Sequence, residues 1–183
     1  YTGLYSSVGN KSYVSLETDQ TTGRLNQISV HRDGRAPNTV TDQQFTYDAI
    51  GNVTKIKDEP TGGGFTDIQC FTYDRHRRLQ DAWTPATNDC ATTPTSSALG
   101  GPAPYWQTYS YTSGGARNTV VDHATAKGDV TATSRFLDTT PAEPTTGQPH
   151  ALRSVTTKDD SGSKTAVFSY DKAGNTKTRP GPN

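Results

Sequence analysis

A short alternation of aromatic and polar residues recurs along the chain and usually ends in aspartate. The copies read Phe45-Thr46-Tyr47-Asp48, Phe71-Thr72-Tyr73-Asp74, Phe168-Ser169-Tyr170-Asp171 and, more weakly, Tyr109-Ser110-Tyr111-Thr112. Residues two apart in a strand point to one face, so both aromatic residues of a copy face one side and the hydroxyl residue faces the other. Aromatic side chains suit a half-buried sheet surface. The alternation therefore predicts β-strands.

The residues that follow each aspartate predict a turn. Asp48 can accept a hydrogen bond from the N–H group two residues on, and Gly51 and Asn52 tolerate the positive φ that tight reversals need. Residues 53–56 then return as the partner strand. The third copy follows the same order with Tyr170-Asp171 and Gly174-Asn175. The second copy has Arg77 where the others have glycine; since positive φ would cost a non-glycine residue about 1 kcal/mol, we expect its turn to change type.

These signals predict an all-β chain of antiparallel hairpins near residues 45–56, 71–83, 109–121 and 168–178. A degenerate hairpin is expected around residues 135–138 and 151–155, and residues 22–28 resemble the second half of another. The best helical alternative covers residues 14–30, but Thr21-Thr22-Gly23 interrupts it. Segments 60–64, 84–104 and 138–149, rich in proline or glycine, are predicted to be excursions between hairpins. Residues 1–183 are therefore expected to form a single segment.

Composition narrows the class of protein. Only 30% of the 183 residues are hydrophobic, and the mean hydropathy is −0.80. Eighteen basic residues balance eighteen acidic ones, so no global positive field favours nucleic acid. No stretch approaches the ~20 apolar residues of a membrane span. Methionine is absent, and neither end of the chain has the pattern of a capping unit, so we expect a fragment of a much longer chain.

The repeated pattern resembles a known family. The pairs Tyr47-Asp48 with Gly51-Asn52, Tyr73-Asp74, and Tyr170-Asp171 with Gly174-Asn175, together with Tyr111, are similar to the YD repeats of Rhs proteins, which also occur in Tc toxin complexes and teneurins. The stretches from Gln69 to Pro85 and from Gly100 to Trp106 resemble actinobacterial Rhs proteins in particular. The resemblance covers roughly residues 20–183.

The resemblance implies a strip of hairpins that forms part of an open or spirally wound shell around a C-terminal toxin or other cargo. It implies a structural, non-enzymatic segment of a secreted or cell-surface protein, with neighbouring repeats and an enclosed toxin as partners. The autoprotease core of that family has no counterpart here, so its activity is not carried over. Two alternatives stay open. One is a cell-surface adhesin or carbohydrate-binding module, and the other is a self-assembling extracellular fibre, since an open strip can add strands at its ends.

The two cysteines, Cys70 and Cys90, lack the spacing of a zinc site. A disulfide between them is the favoured interpretation, and reduced, inert thiols are the alternative. A disulfide would also favour an extracytoplasmic location.

Other candidate chemistry has a simpler structural interpretation in each case. Asp160-Ser161-Gly162 matches the triplet of aspartic proteases but lacks a second copy, so a polar turn is favoured. Arg75-His76-Arg77-Arg78 reads as a solvated turn rather than a docking patch. Asn10 and Asn52 match the N-glycosylation pattern, as expected by chance. The isolated histidines are interpreted as solvated residues; they are His31, His76, His123 and His150. The neighbouring aromatic residues are interpreted as packing residues; they are Trp83, Tyr105, Trp106, Tyr109 and Tyr111. No catalytic, cofactor or metal site is predicted.

Overall fold

A computed structural model describes residues 2–4, 11–125, 128–136 and 150–180. The chain divides into two compact units, Tyr1–Trp106 and Gln107–Asn183. Strands dominate and all of the described pairings are antiparallel, which confirms the all-β fold class. The predicted excursion at 138–149 and the sequon residue Asn10 lie outside the described residues.

Seven strands form the sheet of the first unit, each paired with the next along the chain. They are β1 (Thr2–Leu4), β2 (Ser12–Thr18), β3 (Leu25–Arg32), β4 (Thr39–Tyr47), β5 (Val53–Asp58), β6 (Asp67–Tyr73) and β7 (Leu79–Trp83). The helical alternative for residues 14–30 is wrong, because Leu16 pairs with Ile28 and Val14 with Val30 across β2 and β3. Apolar residues every second position suit a strand, and pairing places these four on one face.

The second unit follows the same meander. Its strands, in order of pairing, are β8 (Trp106–Tyr111), β9 (Arg117–Thr125), β10 (Gly128–Phe136), β11 (Leu152–Asp159) and β12 (Gly162–Val167). A separate two-stranded ladder joins β13 (Ser169–Tyr170) to β14 (Thr176–Thr178). Phe136 pairs with Leu152 after a register shift at Arg135, so the hairpin expected around residues 135–155 is present.

The best-buried cluster lies in the first unit, where β6 and β7 meet the connection from Thr84 to Tyr105. Ile68, Cys70 and Trp83 are its buried members, and Cys90, Leu99 and Trp106 pack against them. The connection is an irregular loop, as predicted, and contains one turn of 3-10 helix (Ser96–Ala98). Thr84 is 1% exposed and fastens the end of the loop: its hydroxyl accepts the N–H of Tyr105 (2.9 Å).

Candidate functional site: the tyrosine and aspartate turns

The turn after β4 shows how Tyr47-Asp48 shapes a hairpin. The N–H of Asp48 donates to the carbonyl of Asn52 (2.9 Å), and the N–H of Gly51 donates to the carbonyl of Asp48 (3.1 Å). Oδ1 of Asp48 accepts the N–H groups of Ile50 (3.0 Å) and Asn52 (2.9 Å), while Nδ2 of Asn52 donates to Oδ2 (2.8 Å). One carboxylate thus satisfies the inside of a five-residue loop, as aspartate does in Asx turns.

The same backbone scheme recurs after β6, β8 and β13. The first residue of each turn exchanges hydrogen bonds with the fourth and fifth: Asp74 with Arg77 and Arg78, Thr112 with Gly115 and Ala116, and Asp171 with Gly174 and Asn175. The turn that joins β2 to β3 is a variant one residue longer, from Asp19 to Arg24. We call these five loops the aspartate turns, although Thr112 replaces aspartate in one of them.

Two predictions about these turns are wrong. Asn52 does not have positive φ: among the described residues only Arg77, at +62°, does so without being glycine. Asn52 acts instead as a side-chain donor to Asp48. The Asp74 turn keeps its type despite Arg77, because Arg78 replaces the asparagine and donates through Nε (2.7 Å) and Nη2 (2.6 Å) to Oδ2 of Asp74. The charged pair between Asp74 and Arg78 therefore stabilises a turn in which Arg77 keeps the positive φ that usually favours glycine.

Each tyrosine before a turn sits at an irregularity in its ladder. Tyr47 pairs with Val53 whereas Thr46 pairs with Lys55, so the return strand carries one extra residue at that point. The equivalent shifts place Tyr73 opposite Leu79, Tyr111 opposite Arg117 and Tyr170 opposite Thr176. Such bulges increase the local twist of the hairpin. The extra residue lies in the return strand, so the burial of Phe45 and Tyr47 still alternates with that of the exposed Thr46.

The tyrosine hydroxyls connect one hairpin to the hairpin before it. Tyr47 Oη donates to the carbonyl of Leu25 (2.7 Å), and Tyr73 Oη donates to that of Val53 (2.8 Å). Leu25 and Val53 are the first residues of the strands that leave the preceding aspartate turns. In the second unit Tyr170 Oη donates in the same way to the carbonyl of Leu152 (2.9 Å), the first residue of β11. The tyrosine is therefore a link between hairpins.

Arg24 adds a second link between the first two aspartate turns. Its Nη1 donates to the carbonyl of Asp48 (3.2 Å), and its guanidinium carbon lies 5.6 Å from the centre of the Tyr47 ring. A Cβ atom on Gly51 would meet Arg24 Nη2 at 3.1 Å. Gly51 is thus required by its φ of +98° and also by the neighbouring hairpin.

Hydrogen bonding favours the ionised form of the turn aspartates. Donation from the Arg78 N–H and guanidinium, against partial desolvation, lowers the pKa of Asp74 to about 2. Bonds from the Asn175 side chain and N–H lower the pKa of Asp171. At Asp48 desolvation opposes the shift, but donation from Asn52 prevails and the pKa is lowered. Burial raises the pKa of Tyr73, so its hydroxyl stays a donor at neutral pH.

Cys70 and Cys90 are joined by a disulfide, with 5.4 Å between their Cα atoms. Cys70 is fully buried, so the bond anchors the loop after β7 to the cluster under it. Trp83 is 3% exposed and belongs to the same cluster. The neighbouring tyrosines also have local partners: Tyr105 Oη donates to Gln69 (3.3 Å) and Tyr109 Oη to Gln107 (2.6 Å). Trp83 and Trp106 therefore pack in the cluster, and Tyr105 and Tyr109 are half-buried with side-chain hydrogen bonds of their own.

The remaining candidates have ordinary surroundings, with the exception of two histidines. Asp160 and Ser161 form the turn between β11 and β12, where the Ser161 N–H donates to Asp159 (2.9 Å). His76 and His150 are exposed. The interpretation of the histidines as solvated is wrong for His31 and His123, which are half-buried in β3 and β9. The His31 ring stacks on Tyr13 with 4.8 Å between centroids, and His123 contacts Thr108 and Asp129 through its two ring nitrogens, each at 2.9 Å.

No group of three or more potential metal ligands occurs within the described ranges. The same part of the chain contains no helix long and apolar enough to cross a membrane.

A comparison with known proteins shows which solved structures have a similar fold. No protein-family model matches the sequence, and no curated protein matches it. Solved structures do match, among them the one described as "Crystal Structure of TcdB2-TccC3-Cdc42", with a TM-score of 0.52 over 96% of this chain. The sequence identity is 16%, so the likeness shows the fold alone. The chain is thus an antiparallel hairpin protein. It is distantly related in structure to a Tc toxin component and spans 11% of the length of that solved chain.

Proposed function

We propose that this chain is a structural wall segment of the YD-repeat type, from a secreted or cell-surface protein whose β-shell encloses a toxin or other cargo. The observation that carries the proposal is the tyrosine link between successive hairpins. Tyr47, Tyr73 and Tyr170 each donate to a main-chain carbonyl at the start of an earlier strand. Hairpins that are joined both by strand pairing and by such a link suit a continuous wall rather than independent modules.

Three further observations support the proposal. The fold resembles that of a Tc toxin structure in which this chain would span only 11% of the length, so further repeats are expected as its partners. The disulfide Cys70–Cys90 suits an oxidising compartment outside the cytoplasm. The absence of a large core also fits: among the described residues only Ile68, Cys70, Ala82 and Trp83 are buried hydrophobic residues. The proposal treats residues 1–183 as one repeat segment.

The wall role is tested by comparing the chain alone with a longer chain that carries flanking repeats. Edge strands expose unpaired N–H and C=O groups, which adjacent repeats would cover. We expect residues 1–183 alone to self-associate on size-exclusion chromatography and to melt over a broad range. The extended chain should be a soluble monomer that melts cooperatively. A cooperative monomer of residues 1–183 alone would contradict the wall role and favour a self-contained binding module.

Three residues of the second unit have the arrangement of a catalytic relay. The His123 imidazole contacts the hydroxyl of Thr108 on one side and the carboxylate of Asp129 on the other. Thr108 lies inside β8, where the backbone N–H groups are used in hydrogen bonds between paired strands. A catalytic hydroxyl needs N–H groups aimed at an oxyanion, which a turn or helix terminus supplies more readily. Asp129 is 57% exposed and orients the imidazole only weakly. These features favour a packing role for the three residues.

An activity-based probe tests this assignment directly. A fluorophosphonate and 4-nitrophenyl acetate are offered to the wild-type chain and to His123→Ala. We expect no covalent label and the same slow ester hydrolysis for both. Stoichiometric labelling of Thr108 that disappears in His123→Ala would overturn the non-enzymatic assignment while leaving the wall role to the chromatographic test.

A further inference from the structure

A cup in the first unit lies between β4 and the loop that joins β5 to β6. It is a shallow, solvent-open depression with a volume of about 540 Å³, as suits a ligand that rests on the surface. The lining is mainly polar and includes the residues Asp42, Gln44, Glu59, Thr61, Phe65 and Thr66. We propose that this cup binds a neutral saccharide. The proposal is independent of the wall role.

The loop that forms one side of the cup is held in shape before any ligand arrives. Pro60 is buried, and its carbonyl accepts the N–H of Gly63 (2.8 Å). Thr66 Oγ1 donates to Glu59 Oε1 (2.9 Å), which ties the two ends of the loop together. The Glu59 N–H donates to the carbonyl of Asp42 (3.2 Å), which fixes the loop to β4. A preformed site avoids much of the ordering cost of binding.

The groups on the floor of the cup suit the hydroxyls of a sugar. Oδ1 of Asp42 accepts from the Gln27 amide and from Ser29 Oγ (2.9 Å), so the carboxylate is positioned on the sheet. The Gln44 side chain is exposed and has no hydrogen-bond partner among the described residues. Carboxylate oxygens accept from sugar hydroxyls, and an amide both donates and accepts, as a ligand rich in hydroxyls requires.

Phe65 supplies the apolar part of the site. Its side chain is 42% exposed although it lines a largely polar cup. The C–H face of a pyranose ring can cover an aromatic face while the hydroxyls at its rim reach polar groups, and sites that combine these two contacts fix ligand orientation. Phe65 and Gln44 together therefore favour a ring with one apolar face and a polar edge, which describes a saccharide better than an ion or a purely apolar ligand.

Charge favours a neutral saccharide over an acidic one. Asp42 and Glu59 both face the cup, and Lys57 Nζ lies 2.5 Å from Glu59 Oε2. The lysine offsets the charge of Glu59, while Asp42 has only neutral side-chain donors, Gln27 and Ser29. A uronic or sialic acid would bring a second carboxylate close to Asp42, and like charges at short range repel.

Ligand-observed NMR with defined sugars tests the site. Lactose, maltose, cellobiose and N,N′-diacetylchitobiose are each offered at ~10 mM, ten times a Kd of ~1 mM, with galacturonic acid as the acidic comparison. We expect saturation transfer to at least one neutral disaccharide and none to galacturonic acid. Phe65→Ala and Gln44→Ala should each weaken binding about five- to tenfold, the scale of one lost contact. Tyr13→Ala is the matched control, because Tyr13 is 41% exposed and lies outside the cup.

A fourth variant separates the shape of the cup from its contacts. A Cβ on Gly63 would lie 2.6 Å from Pro60 Cγ, so Gly63→Ala must displace the loop. We expect this variant to lose binding although it removes no polar group or aromatic ring. Each of three results would overturn the proposal: no saturation transfer to any neutral sugar, binding that Phe65→Ala leaves unchanged, or equal weakening by Tyr13→Ala.

Discussion

Within the described ranges, the hairpins are closed by two kinds of connection. The aspartate turns are short and share one hydrogen-bond scheme, with one residue more in the turn from Asp19 to Arg24, and most of their contacts come from their own residues. The other connections range from the two-residue turn at Asp160 and Ser161 to the irregular segment between Thr84 and Tyr105. That long segment is shaped by distant groups: a disulfide to Cys70 and the buried Thr84. Local chemistry determines the first kind of connection, and burial and cross-linking determine the second.

The largest expected effect is a loss of stability on removal of the disulfide, which acts on the long connection and not on the aspartate turns. Replacing both Cys70 and Cys90 with alanine removes a cross-link between residues 20 apart, and we expect a loss of about 3 kcal/mol in the free energy of unfolding. Hydrogen exchange should accelerate in the segment 84–105 before it does in the aspartate turns. Urea denaturation monitored by tryptophan fluorescence measures the loss. Unchanged stability on removal of the bond would show that packing alone holds the long loop.

Gly51→Val tests how far the aspartate turns depend on their neighbours. Valine at a φ of +98° is strained by about 1–3 kcal/mol, and its side chain would also displace the Arg24 guanidinium. Gly115→Val is the matched control, since Gly115 has a φ of +85° with no atom within 4 Å of an added Cβ. We expect the thermal melt of the Gly51 variant to fall further. Equal losses would mean that backbone strain explains both and that the Arg24 contact contributes nothing.

Tyr73→Phe removes the hydroxyl that links two hairpins and keeps the ring. The lost hydrogen bond to the carbonyl of Val53 should cost about 1 kcal/mol because the group is partly buried. Tyr13→Phe provides a control, since no hydrogen bond of the Tyr13 hydroxyl occurs within the described ranges. Chemical denaturation of the two variants makes the comparison. The linking role is contradicted if both substitutions leave stability equally unchanged.

Arg77→Gly should stabilise the chain slightly. Glycine relieves the positive φ of +62° at this position, and the gain is expected to be about 0.5–1 kcal/mol after the greater freedom of glycine in the unfolded state is considered. The Asp74 to Arg78 pair is left intact. A differential scanning calorimetry trace with a raised melting temperature is expected. A lowered one would show that the Arg77 side chain has a stabilising contact.

The aspartate turns also predict a response to acid. The pKa of Asp74 is about 2 in the folded chain, below its ordinary value of 3.8, so its contribution to stability is complete above the ordinary value and is lost as the pH falls towards 2. The pKa values of Asp48 and Asp171 are lowered in the same direction. Asp74→Asn should therefore reduce the acid sensitivity of stability between about pH 4 and pH 2. Melting curves across that range for both chains would show parallel profiles if the carboxylate were unimportant.

Much of the fold could be predicted from the sequence because its signals are local. The alternation around Tyr47 and the Asp48 turn specify a hairpin within about a dozen residues, and the long gap between the copies at Tyr111 and Tyr170 indicates a degenerate hairpin near Phe136. Three features could not be predicted. The bulge at each tyrosine depends on the partner strand, the conformation of Arg77 depends on the pairing of Arg78 with Asp74, and the cup beside Phe65 depends on a loop reaching another strand. Each depends on a contact between two strands, two side chains or a loop and a strand, which the pattern along one strand does not contain.

The tyrosine link has a consequence for how such a chain can evolve. Its acceptor is a main-chain carbonyl, at Leu25, Val53 or Leu152, and every amino acid offers the same carbonyl. A hairpin that carries its own tyrosine needs no matching side chain in the hairpin before it. Duplication, loss or exchange of a hairpin therefore leaves a usable junction on either side, and the intervening loops can diverge without any compensating substitution elsewhere.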